Sequence, residues 1–303
     1  MESAAGVLRG SDIQLSVEPT RGAYETAAQV QDAIRNGCDT VFACGGDGTI
    51  HDVLQGLVGT DAALGIIPLG TANSLAHDLG LPLSPANAAH AALTAHPRRI
   101  MAGKIEYLDS TAQTSSRYFI VTAGIGVDAH LFYKLNASAK LRLGMASYYL
   151  KAAHLWLTHP MQPFAVEISQ ENQTMQAEAS QLLAVRIGHF GGALQQLAPG
   201  ASLEQCDLRL VLFKTRSRYA YLRYVLRGML AARTNVSGIE LLDASSAICT
   251  PVGTGAGRIH VEADGEPLGT LPARISVVPD AVTILMPRHQ HPELCIATGN
   301  ATI

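Results

Sequence analysis

Residues 41–80 read VFACGGDGTIHDVLQGLVGTDAALGIIPLGTANSLAHDLG. The apolar run 41–44 predicts a buried strand. Gly45, Gly46, Asp47, Gly48 and Thr49 follow, and then Ile50, Val53, Leu54, Leu57 and Val58 recur at helical spacing. The glycine-rich turn therefore lies between a strand end and a helix start, where backbone N–H groups point outward and the helix dipole favours an anion. Glycine lets a phosphate approach the main chain because no Cβ intervenes. Asp47 repels a phosphate directly, so a carboxylate in this place makes sense through a bridging Mg²⁺. A second predicted strand, 63–67, runs into Pro68, Leu69, Gly70, Thr71, Ala72 and Asn73, a turn of the same kind. Two such junctions side by side form the crevice in which open α/β sheets bind ligands.

Working outward, the chain has 303 residues, 48% hydrophobic and 16% charged, which suffices for one large or two modest domains and excludes a disordered chain. A net charge of −3 gives no reason to expect a nucleic-acid partner. Cys38, Cys44, Cys206, Cys249 and Cys295 are scattered and form no C-x-x-C, which suits a reducing cytosol better than a disulfide scaffold or a zinc site. Neither a signal-type apolar segment nor a run of about 18 apolar residues occurs. The expectation is a cytoplasmic protein that touches membranes at most from one side.

Before the central stretch, 1–10 reads as a helix ending at Gly10, 13–17 alternates as a strand, and 23–36 reads as a helix. After it, Ser84 as N-cap and Pro85 at the first helical position open an Ala-rich helix to about residue 95. From residue 100 the texture changes to short alternating runs. Residues 105–108, 117–123, 164–169, 175–181, 183–188, 208–214 and 259–261 read as strands. The predicted organisation is an α/β nucleotide-binding domain, 1–99, followed by a β-rich (β-sandwich) domain, 100–280, with 281–303 returning to the first.

GGDGT followed by PLGTAN resembles the diacylglycerol kinase catalytic domain, the lipid kinase superfamily that includes bacterial diacylglycerol kinases and the sphingosine and ceramide kinases. The resemblance implies ATP as phosphoryl donor, Mg²⁺ as cofactor and a lipid hydroxyl as acceptor. It assigns Gly45, Gly46, Gly48 and Thr49 to the phosphates, Asp47 to the metal and to catalysis, and Gly70, Thr71 and Asn73 to the rest of the nucleotide crevice. Thr20 matches a family threonine that contacts the nucleotide. HVEADGEPLG, 260–269, matches the D-G-E motif, in which Glu266 is the general base; regular alternation there predicts Glu262, Asp264 and Glu266 on one side. GIGVDAHLFYK, 124–134, matches a G-x-G-x-D-A turn, with Asp128 orienting other groups. GHFGGALQQLAPGA, 188–201, carries His189 where the family has Asn.

The chain also departs from the family. His51 and Asp52 stand where Asn and Glu are usual, and Ser74 stands where Asp is usual. The family's first strand and its Asn-Pro-x-Ser-Gly turn have no counterpart, which predicts reduced stability and ATP affinity. Gln205 replaces an Asp that helps hold a second Mg²⁺ in related enzymes; a neutral amide is a weak ligand, so that metal site is not carried over. Because NAD kinases and phosphofructokinases carry a loop like GGDGT, a soluble NAD kinase remains an alternative, as does a non-catalytic lipid or nucleotide binder. The expected partners are ATP, a membrane lipid, a membrane surface and a second copy of the chain. For the surface, 208–239 holds Arg209, Lys214, Arg216, Arg218, Arg223, Arg227 and Arg233 with no acid among them. A second acid-free segment, 129–166, carries the stripe Leu141, Met145, Tyr148, Tyr149, Ala152, Leu155 and Trp156, which reads first as core.

Overall fold

The computed structural model describes residues 1–11, 13–134, 154, 157, 158, 160–170, 173–191, 195–231, 235–253 and 258–287. The stripe from Leu141 to Trp156 lies outside them.

Helix α1 (Glu2–Arg9) ends at Gly10 and buries Ala4 and Leu8 against Ile67, Ala88 and Ala89. The strand expected at 13–17 does not form. Only Leu15 finds a core, while Ile13 and Val17 face solvent, so too little is buried to offset the entropy of extending the segment. Helix α2 (Ala23–Arg35) crosses α3 (Asp47–Leu57) at Gly56, where a Cβ would stand 2.6 Å from the Ala27 carbonyl oxygen. Strands β1 (Thr40–Gly45) and β2 (Ala63–Pro68) pair in parallel, with Cys44 opposite Ile67 and Gly45 opposite Pro68. Both strands thus run out at the same level, and that register brings the two glycine turns together. Helices α4 (Ser74–Asp78) and α5 (Pro85–Leu93) follow, the latter with Ser84 as N-cap and Pro85 at its start.

The remaining elements are mostly strands. They are β3 (His96–Leu108), β4 (Thr114–Phe119), β5 (Thr122–Gly126), α6 (Val127–Lys134), β6 (Phe164–Gln170), β7 (Gln173–Ala179), β8 (Gln181–Val185), β9 (Leu208–Phe213), α7 (Arg218–Met229), β10 (Ile239–Ala244), β11 (Ser246–Pro251), β12 (His260–Ala263) and β13 (Glu266–Met286). The expected strand 117–123 is in fact two, because the chain turns a corner at Ile120 and Val121; 175–181 likewise breaks at Ser180. The thirteen described strands form one curled sheet, whose main path runs β10-β9-β8-β5-β12-β13-β11-β6-β7, with β2 (carrying β1) and β3 (carrying β4) joined to it through β13. An α/β layer is thus followed by a sandwich-like, strand-rich part.

The antiparallel pair β3 and β13 runs through both parts. Near its end, β13 also pairs in parallel with β2, Thr283 to Ala63 and Ile284 to Leu64. Residues 96–100 of β3 pair only with β13, and this open edge tolerates Pro97. One core lies between α2, α3, α4 and the parallel strands (Leu54, Leu57, Leu64, Leu75, Ile284), and a second inside the curled sheet (Phe119, Ile125, Phe164, Leu210, Ile275). A third packs α7 on β8 and β9. No helix among the described residues is long and apolar enough to cross a membrane.

Candidate functional site

The two glycine turns stand back to back. The Leu69 N–H donates to the Gly45 carbonyl at 2.9 Å. A Cβ on Gly46 would lie 3.1 Å from the Gly70 Cα, and one on Gly70 would collide with the Gly46 backbone. Thr49 folds over Gly45. Asn73 adopts a left-handed conformation (φ 50°) and clamps the second turn: its Oδ1 accepts from the Gly70 N–H and its Nδ2 donates to the Gly70 carbonyl, each at 2.9 Å. Its amide is therefore spent on shaping the loop, whose tip exposes Thr71 and Ala72. Thr20 is exposed ahead of α2. Gln29 holds its turn by donating to the Pro19 carbonyl and accepting from the Arg21 N–H, both at 3.1 Å, and no hydrogen bond among the described residues ties Thr20 to either glycine turn.

Asp47, the first residue of α3, faces the start of α4. Burial raises its carboxyl pKa most, the N–H groups of Ser74, Leu75 and Asn73 pull it down, and the Asp264 charge raises it. Its Oδ1 is buried with no hydrogen-bond partner. An orphaned anionic oxygen beside a phosphate-type turn fits one contact to a Mg²⁺ ion. No group of three or more His, Cys, Asp or Glu residues that could hold a metal occurs among the described residues, so phosphate and water would supply the other ligands.

The D-G-E motif is a hairpin, and its geometry corrects the expectation of three acids on one side. Strand β12 stops at Ala263, and Asp264 (φ 49°) and Gly265 (φ 84°) form the two-residue turn favoured between twisted strands. The three acids diverge. Asp264 is buried, and its Oδ1 accepts from the N–H groups of Val121 (2.9 Å) and Thr122 (3.0 Å). Its Oδ2 accepts from the Ile120 N–H (3.2 Å) and lies 3.2 Å from the buried His51 Nδ1. A carboxylate only accepts, so the His51 Nδ1–H is the donor. The imidazole thus ties α3 to the hairpin, and Asp264 locks α3, the β4–β5 corner and the hairpin together.

Glu266 as a residue is exposed, and its Oε1 would lie 2.7 Å from a Cβ on Gly48. Burial of the carboxyl raises its pKa most; His51 opposes this, while Asp52 and Asp264 add to it. Glu262 points the other way and is fully buried. Its Oε2 accepts from the Gly265 N–H at 2.8 Å, and its Oε1 has no partner. A Cβ on Gly124 would meet that Oε1 at 2.6 Å and Asp128 Oδ2 at 3.0 Å, so the two carboxyls converge there. Burial first, then Asp128, raises Glu262 well above the usual carboxyl range, and burial pushes Asp128 up to about 6.

Neither His189 nor Gln205 is drawn into this site. His189 is exposed, and Asp78 Oδ1 accepts from its backbone N–H and from that of Gly188, both at 2.9 Å. The 203–207 loop is built around Arg186. One guanidinium nitrogen donates to the Gln205 (2.9 Å) and Asp207 (3.0 Å) carbonyls, the other to those of Leu203 (3.1 Å) and Met101 (3.3 Å). Arg186 is completely buried, which lowers its pKa to about 10, so it stays charged at neutral pH. Sequence reasoning missed Arg186, Asp78 and the Glu262–Asp128 pair. The signal for Arg186 was a lone charge inside the apolar run QLLAVRIG.

Residues 1–105 match the diacylglycerol kinase catalytic domain, and residues 120–286 match the YegS C-terminal NAD kinase beta sandwich-like domain. The chain is 30% identical over 289 residues to a diacylglycerol kinase of Mycobacterium tuberculosis, covering 93% of this chain and 87% of that one. It is 27% identical over 284 residues to a diacylglycerol kinase of Bacillus subtilis, covering 93% and 88%. A crystal structure of a diacylglycerol kinase from Bacillus anthracis superposes with a TM-score of 0.66 at 19% identity, covering 95% of this chain and 89% of that one, a likeness of fold.

Proposed function

We propose an ATP-dependent lipid kinase: the chain belongs to the diacylglycerol kinase catalytic-domain family, and from that premise the crevice reads as a phosphoryl-transfer site. The γ-phosphoryl group of ATP passes to the hydroxyl of a diacylglycerol or sphingoid-type lipid. The observation that carries this reading is the approach of the Glu266 carboxyl to Gly48, beside two glycine turns pressed into contact. Backbone N–H groups of Gly45, Gly46, Gly48 and Thr49, at the start of α3, face the phosphates. Gly70 and Thr71 complete the cradle, Asn73 holds its shape, and Thr20 serves the nucleotide by family likeness. Among the described residues Asp47 Oδ1 would hold a Mg²⁺ ion, which would supply neutralisation of the phosphate charge.

A lipid hydroxyl is a far weaker acid than a carboxylic acid, so Glu266 does not deprotonate it beforehand. It takes the proton as the P–O bond forms, which suits a loose transition state. Its raised pKa makes it a stronger base than an ordinary glutamate. Asp264 does not fill this role, because three N–H groups and His51 already occupy its oxygens. Labelled ATP offered with a panel of lipids tests the reading. Glu266→Gln lowers turnover on the best lipid about 10²- to 10⁴-fold and leaves ATP affinity unchanged. Near-normal turnover by the variant would move the base elsewhere, and phosphorylation of NAD in place of every lipid would replace the substrate class.

A further inference from the structure

Helix α7 is amphipathic in the opposite sense to an ordinary surface helix. Its inward face carries the polar atoms. Tyr221 hydroxyl lies 2.8 Å from Ser180 Oγ, Tyr224 hydroxyl donates to the Leu197 carbonyl at 2.6 Å, and Arg227 donates to the same carbonyl at 3.1 Å from above the Tyr224 ring. Its outward face carries the hydrocarbon. Tyr219 (73% exposed), Leu222, Val225, Leu226, Met229 and the adjoining Leu230 (76% exposed) all face solvent at helical spacing. They are six of the sixteen exposed large apolar side chains among the described residues, gathered on one helix. A patch so concentrated marks a surface that something covers.

The charge around the patch says what. Residues 208–239 contain no acid. Arg209 is paired with Asp243 and Lys214 with Glu240, and Arg227 is buried. Arg216 and Arg223 remain exposed at the rim. In a two-fold interface, each copy would set this basic rim against an identical one. An anionic bilayer complements both features, taking the apolar side chains into the headgroup boundary and the arginines onto the lipid charges.

We propose that α7 is a membrane-docking helix that lays its outer face on an anionic bilayer. The proposal rests on this surface and not on the kinase reading, so binding tests it whether or not phosphoryl transfer is found. The full chain is sedimented with vesicles of phosphatidylcholine alone and of phosphatidylcholine with phosphatidylglycerol. Binding to the anionic vesicles exceeds binding to the neutral ones and weakens with salt. Leu222→Glu with Leu226→Glu weakens it about tenfold or more, Leu222→Ser with Leu226→Ser gives a smaller loss in the same direction, and Arg223→Gln weakens it about fivefold. The melting temperatures stay close to the wild-type value, because Leu222 and Leu226 are each about half exposed and lie outside the buried cores. Equal binding to both vesicles, or full binding by the leucine variants, overturns the proposal. So does a dimer in analytical ultracentrifugation that the same variants dissociate, which would assign the face to a second copy.

Discussion

At the scale of single residues, the chemistry is decided by which carboxyl oxygens find donors. Asp264 has four partners, Asp47 keeps one oxygen open, and Glu262 buries an oxygen that has none. Glu262 holds its proton more tightly in the folded chain than in the unfolded one, through burial and then the neighbouring Asp128. The folded state therefore has its full share of stability below the ordinary value of 4.5 and loses it as pH rises through the higher folded value. Glu262→Gln keeps the shape and has no proton to lose. Its melting temperature matches the wild type near pH 4 and exceeds it near pH 8, by about 1–3 kcal/mol of stability. Parallel pH profiles for the two proteins would show that the pair titrates normally.

At the scale of elements, the site depends on backbone meeting backbone. A methyl group on Gly70 strikes the Gly46 main chain, which no rotamer change relieves. Gly70→Ala is expected to cost about 1–3 kcal/mol and to weaken ATP binding at least about tenfold. Gly6→Ala, with open space around it on α1, is neutral or mildly stabilising. Calorimetric titration with ATP and thermal melts check both; wild-type ATP affinity in Gly70→Ala would separate the turns from the nucleotide. Strands β1 and β2 with α3 between them were legible because burial, glycine turns and periodicity act locally there. Strand β13 was not. Pro267, Gly269, Pro272 and Pro279 look like breaks, and pairing with β3, β11, β12 and β2, partly across register shifts, carries the strand through them. Helix α7 was read as a basic run for a membrane surface and not as a helix, because its buried tyrosines and exposed leucines invert the pattern that marks a helix. In the hairpin the identities of the acids were readable, but their directions depended on a turn that alternation does not reveal.

At the scale of the whole molecule, the sheet is continuous and the places where its cores meet matter most. Arg186 sits at such a place: Ala184, Val185 and Ile187 beside it belong to three different cores, and its guanidinium gathers carbonyls from β3 and from the loop before β9. A cation built into the covalent chain cannot be chelated, diluted or exchanged, so this junction is fully occupied in any buffer. The wild-type melting temperature is accordingly expected to stay constant between excess Mg²⁺ and excess EDTA. Arg186→Met strands four inward-facing carbonyls and lowers the urea midpoint by about 3 kcal/mol or more of stability. A wild-type protein that softened in EDTA would reveal a mobile ion at this seam. If the junction behaves as its hydrogen bonds require, the chain holds its shape independently of metal supply, and magnesium is left to act on the nucleotide alone.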